Sequence, residues 1–128
     1  MTDAEELVGL VCDAILASDK LVGLDWESIS IVFDLRVGSV SNSGFAYLTD
    51  KVIPVAATGS LVGDYVRALR DAFKRPDQPG FAEMLVQIRR RDGCLHVDFE
   101  YDNPKRWRIG PANFVQMREA LRPVFPDQ

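Results

Sequence analysis

The sequence has little of what most catalytic and metal sites need. It contains one histidine and two cysteines among 128 residues, and their spacing matches no metal-binding motif. It also lacks a G-x-S-x-G nucleophile motif and a glycine-rich phosphate loop. Cys94 and His96 are close in sequence, but a cysteine beside a tight turn is more often inert than catalytic. We therefore expect no enzyme activity, no catalytic residue, no metal and no cofactor.

Other absences limit the class of protein. The first residues carry no basic segment, so no signal peptide is expected, and no apolar run approaches the ~18 residues of a membrane span. Cys12 and Cys94 lie far apart, which favours free thiols in a reducing compartment. The net charge of −4 disfavours a general nucleic-acid binder, since such proteins are usually basic. We predict a cytoplasmic protein that binds neither membranes nor nucleic acid.

What is present predicts one α+β domain over residues 1–128. The sequence is 47% hydrophobic and 27% charged, as in ordinary globular domains of this length. Apolar spacing predicts helices and strands in the order α-β-β-β-α-β-β-α. The first helix is expected at about 3–18 and the last at about 111–121. Short connections favour an antiparallel sheet with the helices packed on one face, leaving the other face open to solvent or a partner.

The stretch from Met84 to Asp102 predicts a β-hairpin. Asp92-Gly93 is a strong signal for a two-residue turn, because glycine adopts positive φ at little cost. Folding about this turn pairs apolar residues: Ile88 with Val97, Val86 with Phe99 and Met84 with Tyr101. We expect six apolar side chains to face the helices: Ile31, Phe33, Val86, Ile88, Val97 and Phe99.

The polar face of this hairpin is the only candidate site. Asp98, Glu100 and Asp102 stand at alternate positions beside His96, and Asp34 of the first strand belongs to the polar side of the same sheet. Carboxylates at alternate strand positions are ~7 Å apart, which is too far to close readily on one small cation. The two interpretations of this face are a solvated surface and a protein-binding surface.

A basic, aromatic connector follows the hairpin over residues 105–109, KRWRI. Trp107 is either a lid on the edge of the core or an exposed interface anchor, since tryptophan and arginine are enriched in binding hot spots. The run Arg89-Arg90-Arg91 is interpreted as solvated charge that balances the acidic residues. The predicted partner-binding set is Asp34, His96, Asp98, Glu100, Asp102, Arg106, Trp107 and Arg108.

Several motifs together resemble the YezG-like family of bacterial immunity proteins. Trp26-Glu27 leads into an alternating strand, and a helix of the form V-x-x-Y-V-x-x-L-R-x-x-F follows. The hairpin then has the pattern D-G-x-L-x-V-D-F-E-Y-D-N-P over Asp92–Pro104. The resemblance covers roughly residues 1–104, and the helix expected at about 111–121 departs from the charged, Tyr/Trp-rich ending of the family.

This resemblance implies a stoichiometric inhibitor of a polymorphic toxin used in competition between bacteria. Many such toxins are nucleases with basic active sites, which an acidic inhibitor can approach by electrostatic steering and block. The partner would then be a cognate toxin domain, and a homodimer stays open. Two alternatives also stay open: another interaction module, such as a secretion chaperone or complex subunit, and a small ligand-binding domain or enzyme.

Overall fold

The computed structural model describes residues 4–36, 39–59, 61–74, 76–77 and 80–125. The described part has an α+β fold with the order α-β-β-β-α-β-β-α, which confirms the predicted class and order. The elements are α1 (Ala4–Leu16), β1 (Ser28–Arg36), β2 (Ser39–Tyr47), β3 (Val52–Val55), α2 (Val62–Phe73), β4 (Glu83–Arg89), β5 (Leu95–Glu100) and α3 (Phe114–Ala120). No described helix has the length and apolar character to cross a membrane.

The strands form one antiparallel sheet in the order β3-β2-β1-β4-β5. β1 lies at the centre and pairs with β2 on one side and β4 on the other. β3 and β5 are the two edges. β3 is short and contains Pro54, which fits an edge because proline cannot donate to a central ladder.

The helices α1 and α2 cover one face of the sheet, here called the helix face. Ile31 and Phe33 from β1 are fully buried there, together with Val11 of α1 and Val66 of α2. Phe81 packs its ring 4.8 Å from that of Phe99. The six side chains predicted to face the helices all belong to this cluster or pack against it, which confirms that prediction: Ile31, Phe33, Val86, Ile88, Val97 and Phe99.

The β4–β5 hairpin has a longer loop than predicted, and the predicted pairs are therefore wrong. The observed pairs are Ile88–Leu95, Val86–Val97 and Met84–Phe99. The Arg89 N–H donates to the Cys94 carbonyl at 2.9 Å, so the loop spans residues 90–93 instead of two residues. Each pair shifts by two positions, which leaves every side chain on its predicted face because the side-chain period of a strand is two.

The other face of the sheet, here called the second face, is covered by the C-terminal segment, residues 104–125. The expectation that this face is open is therefore wrong, and α3 lies on the opposite side of the sheet from α1 and α2. A second apolar cluster forms there from Val32, Phe45, Tyr47, Leu85, Trp107 and Leu121, with Ile109, Phe114 and Met117 packed against it. This cluster explains Val32, which is apolar on the otherwise polar side of β1.

Polar side chains of the sheet attach the end of α3 to the second face. The hydroxyl of Ser30 donates to the Leu121 carbonyl at 2.6 Å, and Gln87 Nε2 donates to the same carbonyl at 3.0 Å. The Tyr47 hydroxyl donates to the Arg118 carbonyl at 2.8 Å. Carbonyls at a helix C-terminus have no partner within the helix. The sheet supplies these donors and so fixes the position of a short helix.

Candidate functional site

The second face carries a row of three carboxylates that runs across the strands. In the ladder, Glu83 of β4 stands directly opposite Asp34 of β1 on one side and Glu100 of β5 on the other. These three residues are called the carboxylate row. Like charges directly opposite each other destabilise a sheet, so the row needs compensating groups.

Compensation comes from residues 106–108, here called the Arg-Trp-Arg segment. Arg106 Nη1 lies 2.9 Å from Glu100 Oε1, and Arg108 Nη2 lies 3.5 Å from Asp34 Oδ2. Between them, the backbone N–H of Trp107 donates to Glu83 Oε1 at 2.9 Å. Successive residues of the segment therefore meet successive carboxylates of β5, β4 and β1.

Trp107 is a lid on the core and not an exposed anchor. Its side chain is only 7% exposed and belongs to the apolar cluster of the second face. The guanidinium of Arg106 lies 4.7 Å above the indole ring, in a geometry that suits a cation–π contact. Of the two interpretations of Trp107, the lid is confirmed.

Glu83 is the member of the carboxylate row that the sequence analysis missed. It is fully buried, and its Oε2 atom has no hydrogen-bond partner among the described residues. Burial raises the pKa of Glu83 most, and the neighbouring Asp34 and Glu100 raise it further. The sequence did contain a signal for its position. Glu83 precedes Leu85 by two positions, and side chains two positions apart in a strand lie on the same face of the sheet.

Glu100 acts within the fold of the protein. Its carboxylate accepts the N–H groups of Asp102 and Asn103 at 2.9 and 3.1 Å, in addition to the pair with Arg106. The hydrogen bonds from Asn103, Asp102 and Arg106 hold the pKa of Glu100 below its ordinary value. The residue thus caps the turn that leads from β5 into the C-terminal segment.

The remaining predicted site residues lie at the outer edge of the sheet. His96 is exposed and Asp98 is half-buried, and Asp98 Oδ1 accepts the N–H of Phe99 at 2.9 Å. β5 ends at Glu100, so Asp102 lies in the following turn, where it is exposed. The predicted row along β5 is thus shorter than expected, and only part of it faces outward.

A groove opens between β5 and α3 on the second face, with a volume of about 410 Å³. This α3 groove combines acidic, basic and apolar side chains: Leu85, Gln87, His96, Asp98, Arg106, Trp107, Met117, Ala120, Leu121, Arg122 and Val124. Val124 is 90% exposed at its margin. The groove is where His96, Asp98, Arg106 and Trp107 of the predicted set come together. The other four residues of the set lie outside its lining: Asp34, Glu100, Asp102 and Arg108.

The run Arg89-Arg90-Arg91 lies at the loop end of the β4–β5 hairpin and makes contacts within the protein. Arg89 forms an ion pair with Asp92 at 2.8 Å, and the Arg90 guanidinium lies 4.8 Å above the ring of Trp26. Arg90 Nη1 also donates to the carbonyls of Leu24 and Trp26. These contacts tie the hairpin loop to the segment before β1, so at least two of the three arginines have structural roles.

The chemistry available to the described residues is limited. They contain no group of three or more His, Cys, Asp or Glu side chains arranged to hold a metal ion. Cys12 and Cys94 are free and half-buried. Burial raises the pKa of Cys12 to about 11, so this thiol stays protonated and weakly nucleophilic near neutral pH. The features through which this part of the molecule could bind a partner are the α3 groove and the neighbouring edge strand β5.

Comparisons with known proteins do not extend this description. No model of a known protein family matches the chain, and neither does any curated protein. The relation to YezG-like immunity proteins accordingly stays a prediction from the motifs of residues 1–104.

Proposed function

We propose that the chain is a non-enzymatic immunity protein that binds a cognate bacterial toxin domain and blocks it stoichiometrically. The motifs over residues 1–104 support the family, and one structural observation supports the mode of action. That observation is the α3 groove, which places apolar and acidic side chains side by side at the edge of the sheet. A stoichiometric inhibitor needs a surface that contacts its target and does not need catalytic groups. The side chains that line the α3 groove can supply such contacts.

The composition of the α3 groove suits a protein partner. Val124 and Met117 offer apolar area, while His96 and Asp98 supply hydrogen-bonding groups at the other wall. Protein interfaces commonly combine an apolar centre with a polar rim. Because Trp107 is buried under Arg106, the apolar anchor of this interface is assigned to Val124 and Met117 instead of Trp107.

The acidic contribution to binding is smaller than the sequence implies. Glu100 and Asp34 are paired with Arg106 and Arg108, so they contribute little field to a partner. Asp98 at the groove and Asp102 in the turn supply the outward charge. Charges of this kind steer a basic partner, such as a nuclease active site, and act mainly on the association rate.

The test is binding to a toxin domain encoded beside this gene, together with protection of cells that express that toxin. Val124→Glu puts a charge on the apolar margin of the α3 groove and should weaken binding at least about thirtyfold, which corresponds to the ~2 kcal/mol of a typical hot spot. Val115→Glu is the matched control, since Val115 lies on α3, is 63% exposed and does not line the groove.

Charge is tested separately. Asp98→Asn should slow association and flatten its salt dependence, whereas Asp71→Asn on the exposed side of α2 should do neither. If the toxin does not bind the parent chain, the immunity proposal is wrong. If it binds and Val124→Glu protects as well as Val115→Glu, the partner uses another surface.

A further inference from the structure

We infer that β5 is a pairing edge, and that its partner is β5 of a second copy of this chain in antiparallel orientation. The resulting dimer would join two five-stranded sheets into one continuous sheet. This inference does not require the toxin, because it concerns pairing of the β5 backbone edge, although His96 and Asp98 of that strand also line the α3 groove.

The two edges of the sheet differ in how they are protected. β3 is short and carries Pro54, a common device against edge-to-edge pairing. β5 contains no proline or glycine, and Leu95, one of its two exposed residues, is 43% accessible. An unprotected edge strand presents N–H and C=O groups to a further strand. β5 is therefore the edge that can accept one.

The backbone of β5 fixes which residues offer these groups. The Arg89 N–H donates to the Cys94 carbonyl, so alternate residues from Cys94 onward, including His96 and Asp98, direct their backbone groups toward β4. Val97 and Phe99 then direct theirs outward. Asp98 Oδ1 occupies the outward Phe99 N–H in the isolated chain, a local bond that pairing would exchange for a ladder bond.

One register makes this strand complementary to itself. With Val97 opposite Val97 of the second copy, His96 stands opposite Asp98 on the second face, twice by symmetry. On the helix face, Leu95 stands opposite Phe99. A carboxylate that faces an imidazole N–H donor, and apolar pairs at directly facing positions, both favour antiparallel pairing. Centring the pairing on Asp98 or on His96 would instead place identical polar groups against each other.

The first test is the mass of the full chain by sedimentation equilibrium over a wide concentration range. We expect a reversible species of twice the 14.3 kDa of one chain. His96→Asp places a carboxylate opposite Asp98 in both symmetric pairs and should raise the dimer dissociation constant about tenfold. The swap variant His96→Asp/Asp98→His restores opposite partners and should recover most of that loss. Val97→Pro removes the central outward N–H and should give monomers.

A cross-link tests the register directly. Val97→Cys, in a background of Cys12→Ser and Cys94→Ser, should form a disulfide between two copies on mild oxidation, because facing residues lie about 5.5 Å apart at Cα. Pro54→Cys at the other edge is the control and should form far less. A monomeric mass at every concentration overturns the inference, as does a dimer that is indifferent to both His96→Asp and the Val97 cross-link. A β5 edge that pairs only with a strand of the toxin would do the same.

Discussion

The two faces of the sheet are both covered, but by different means. The helix face is closed by α1 and α2 over an almost purely apolar cluster. The second face is closed by the C-terminal segment, which combines a smaller apolar cluster with the carboxylate row and the Arg-Trp-Arg segment. A polar strand face is therefore not evidence of an open surface, because a later part of the same chain can supply its partners.

The difference has an energetic consequence. Apolar burial on the helix face is non-directional, whereas the contacts of the Arg-Trp-Arg segment depend on each group meeting its own carboxylate. Arg106 pairs with Glu100 and Trp107 bonds to Glu83, so a shift of one residue would break both contacts. We expect the helix face to dominate stability and the second face to determine where the C-terminal segment lies.

The largest effect should follow from Phe33→Ala on the helix face. Phe33 is fully buried in the central strand, where neighbouring strands prevent the cavity from closing. The expected loss is ~3–5 kcal/mol in the free energy of unfolding, measured by urea denaturation. A loss below ~1 kcal/mol would mean that this face is not the main core.

Trp107→Ala should destabilise less, by about 3 kcal/mol, at the lower end of the range for large aromatic residues. Trp107 stands in an irregular connector that can relax into part of the vacated space, unlike Phe33 in β1. Hydrogen exchange should increase most in α3, because the segment loses its apolar attachment. Unchanged exchange in α3 would contradict this division between the faces.

Glu83→Gln tests the buried carboxylate through pH. The pKa of Glu83 is raised in the folded state, so its contribution to stability is fully present below the unfolded pKa of about 4.3 and is lost as the pH rises through the folded pKa. In urea melts, the free energy of unfolding of the neutral variant should therefore increase relative to that of the parent protein as the pH rises above about 4.3. Glu5→Gln, on the exposed side of α1, is the control. If the free energy of unfolding depends on pH in the same way in the parent and in Glu83→Gln, ionisation of Glu83 does not limit the stability of the protein.

The smallest effect is expected for Arg106→Gln. Half of the Arg106 side chain is exposed, and exposed ion pairs contribute about 0–1 kcal/mol. Denaturant melts at low and high salt should give a difference below ~1 kcal/mol that shrinks with salt. A larger loss in the free energy of unfolding that does not change with salt would contradict the assignment of the Arg106–Glu100 pair as a solvent-screened ion pair.

The helix face could be predicted because its signals are local. Alternation in Ile31 and Phe33 and the spacing of apolar residues in α1 each indicate a buried side without knowledge of the rest of the chain. The face of Val97 and Phe99 was also correct despite the wrong register, since an even shift preserves parity.

The second face could not be predicted in the same way. Arg108 and Asp34 are distant in sequence, and no local period indicates that a short connector will lie across three strands. Asp92 misled the hairpin prediction because its carboxylate accepts the Cys94 N–H, which stabilises a wider loop than Asp-Gly alone suggests. Two of the acidic residues in the predicted set, Asp34 and Glu100, have their arginine partners inside the molecule.

The most direct test of the closed second face is amide hydrogen exchange at Trp107, measured by NMR on the parent protein. Its N–H donates to Glu83 in a buried site, although it lies in a connector without regular secondary structure. We predict strong protection at Trp107 and weak protection at the exposed neighbour Lys105, with the Trp107 protection lost in Glu83→Ala. Exchange at Trp107 as fast as in an unstructured loop would contradict the account.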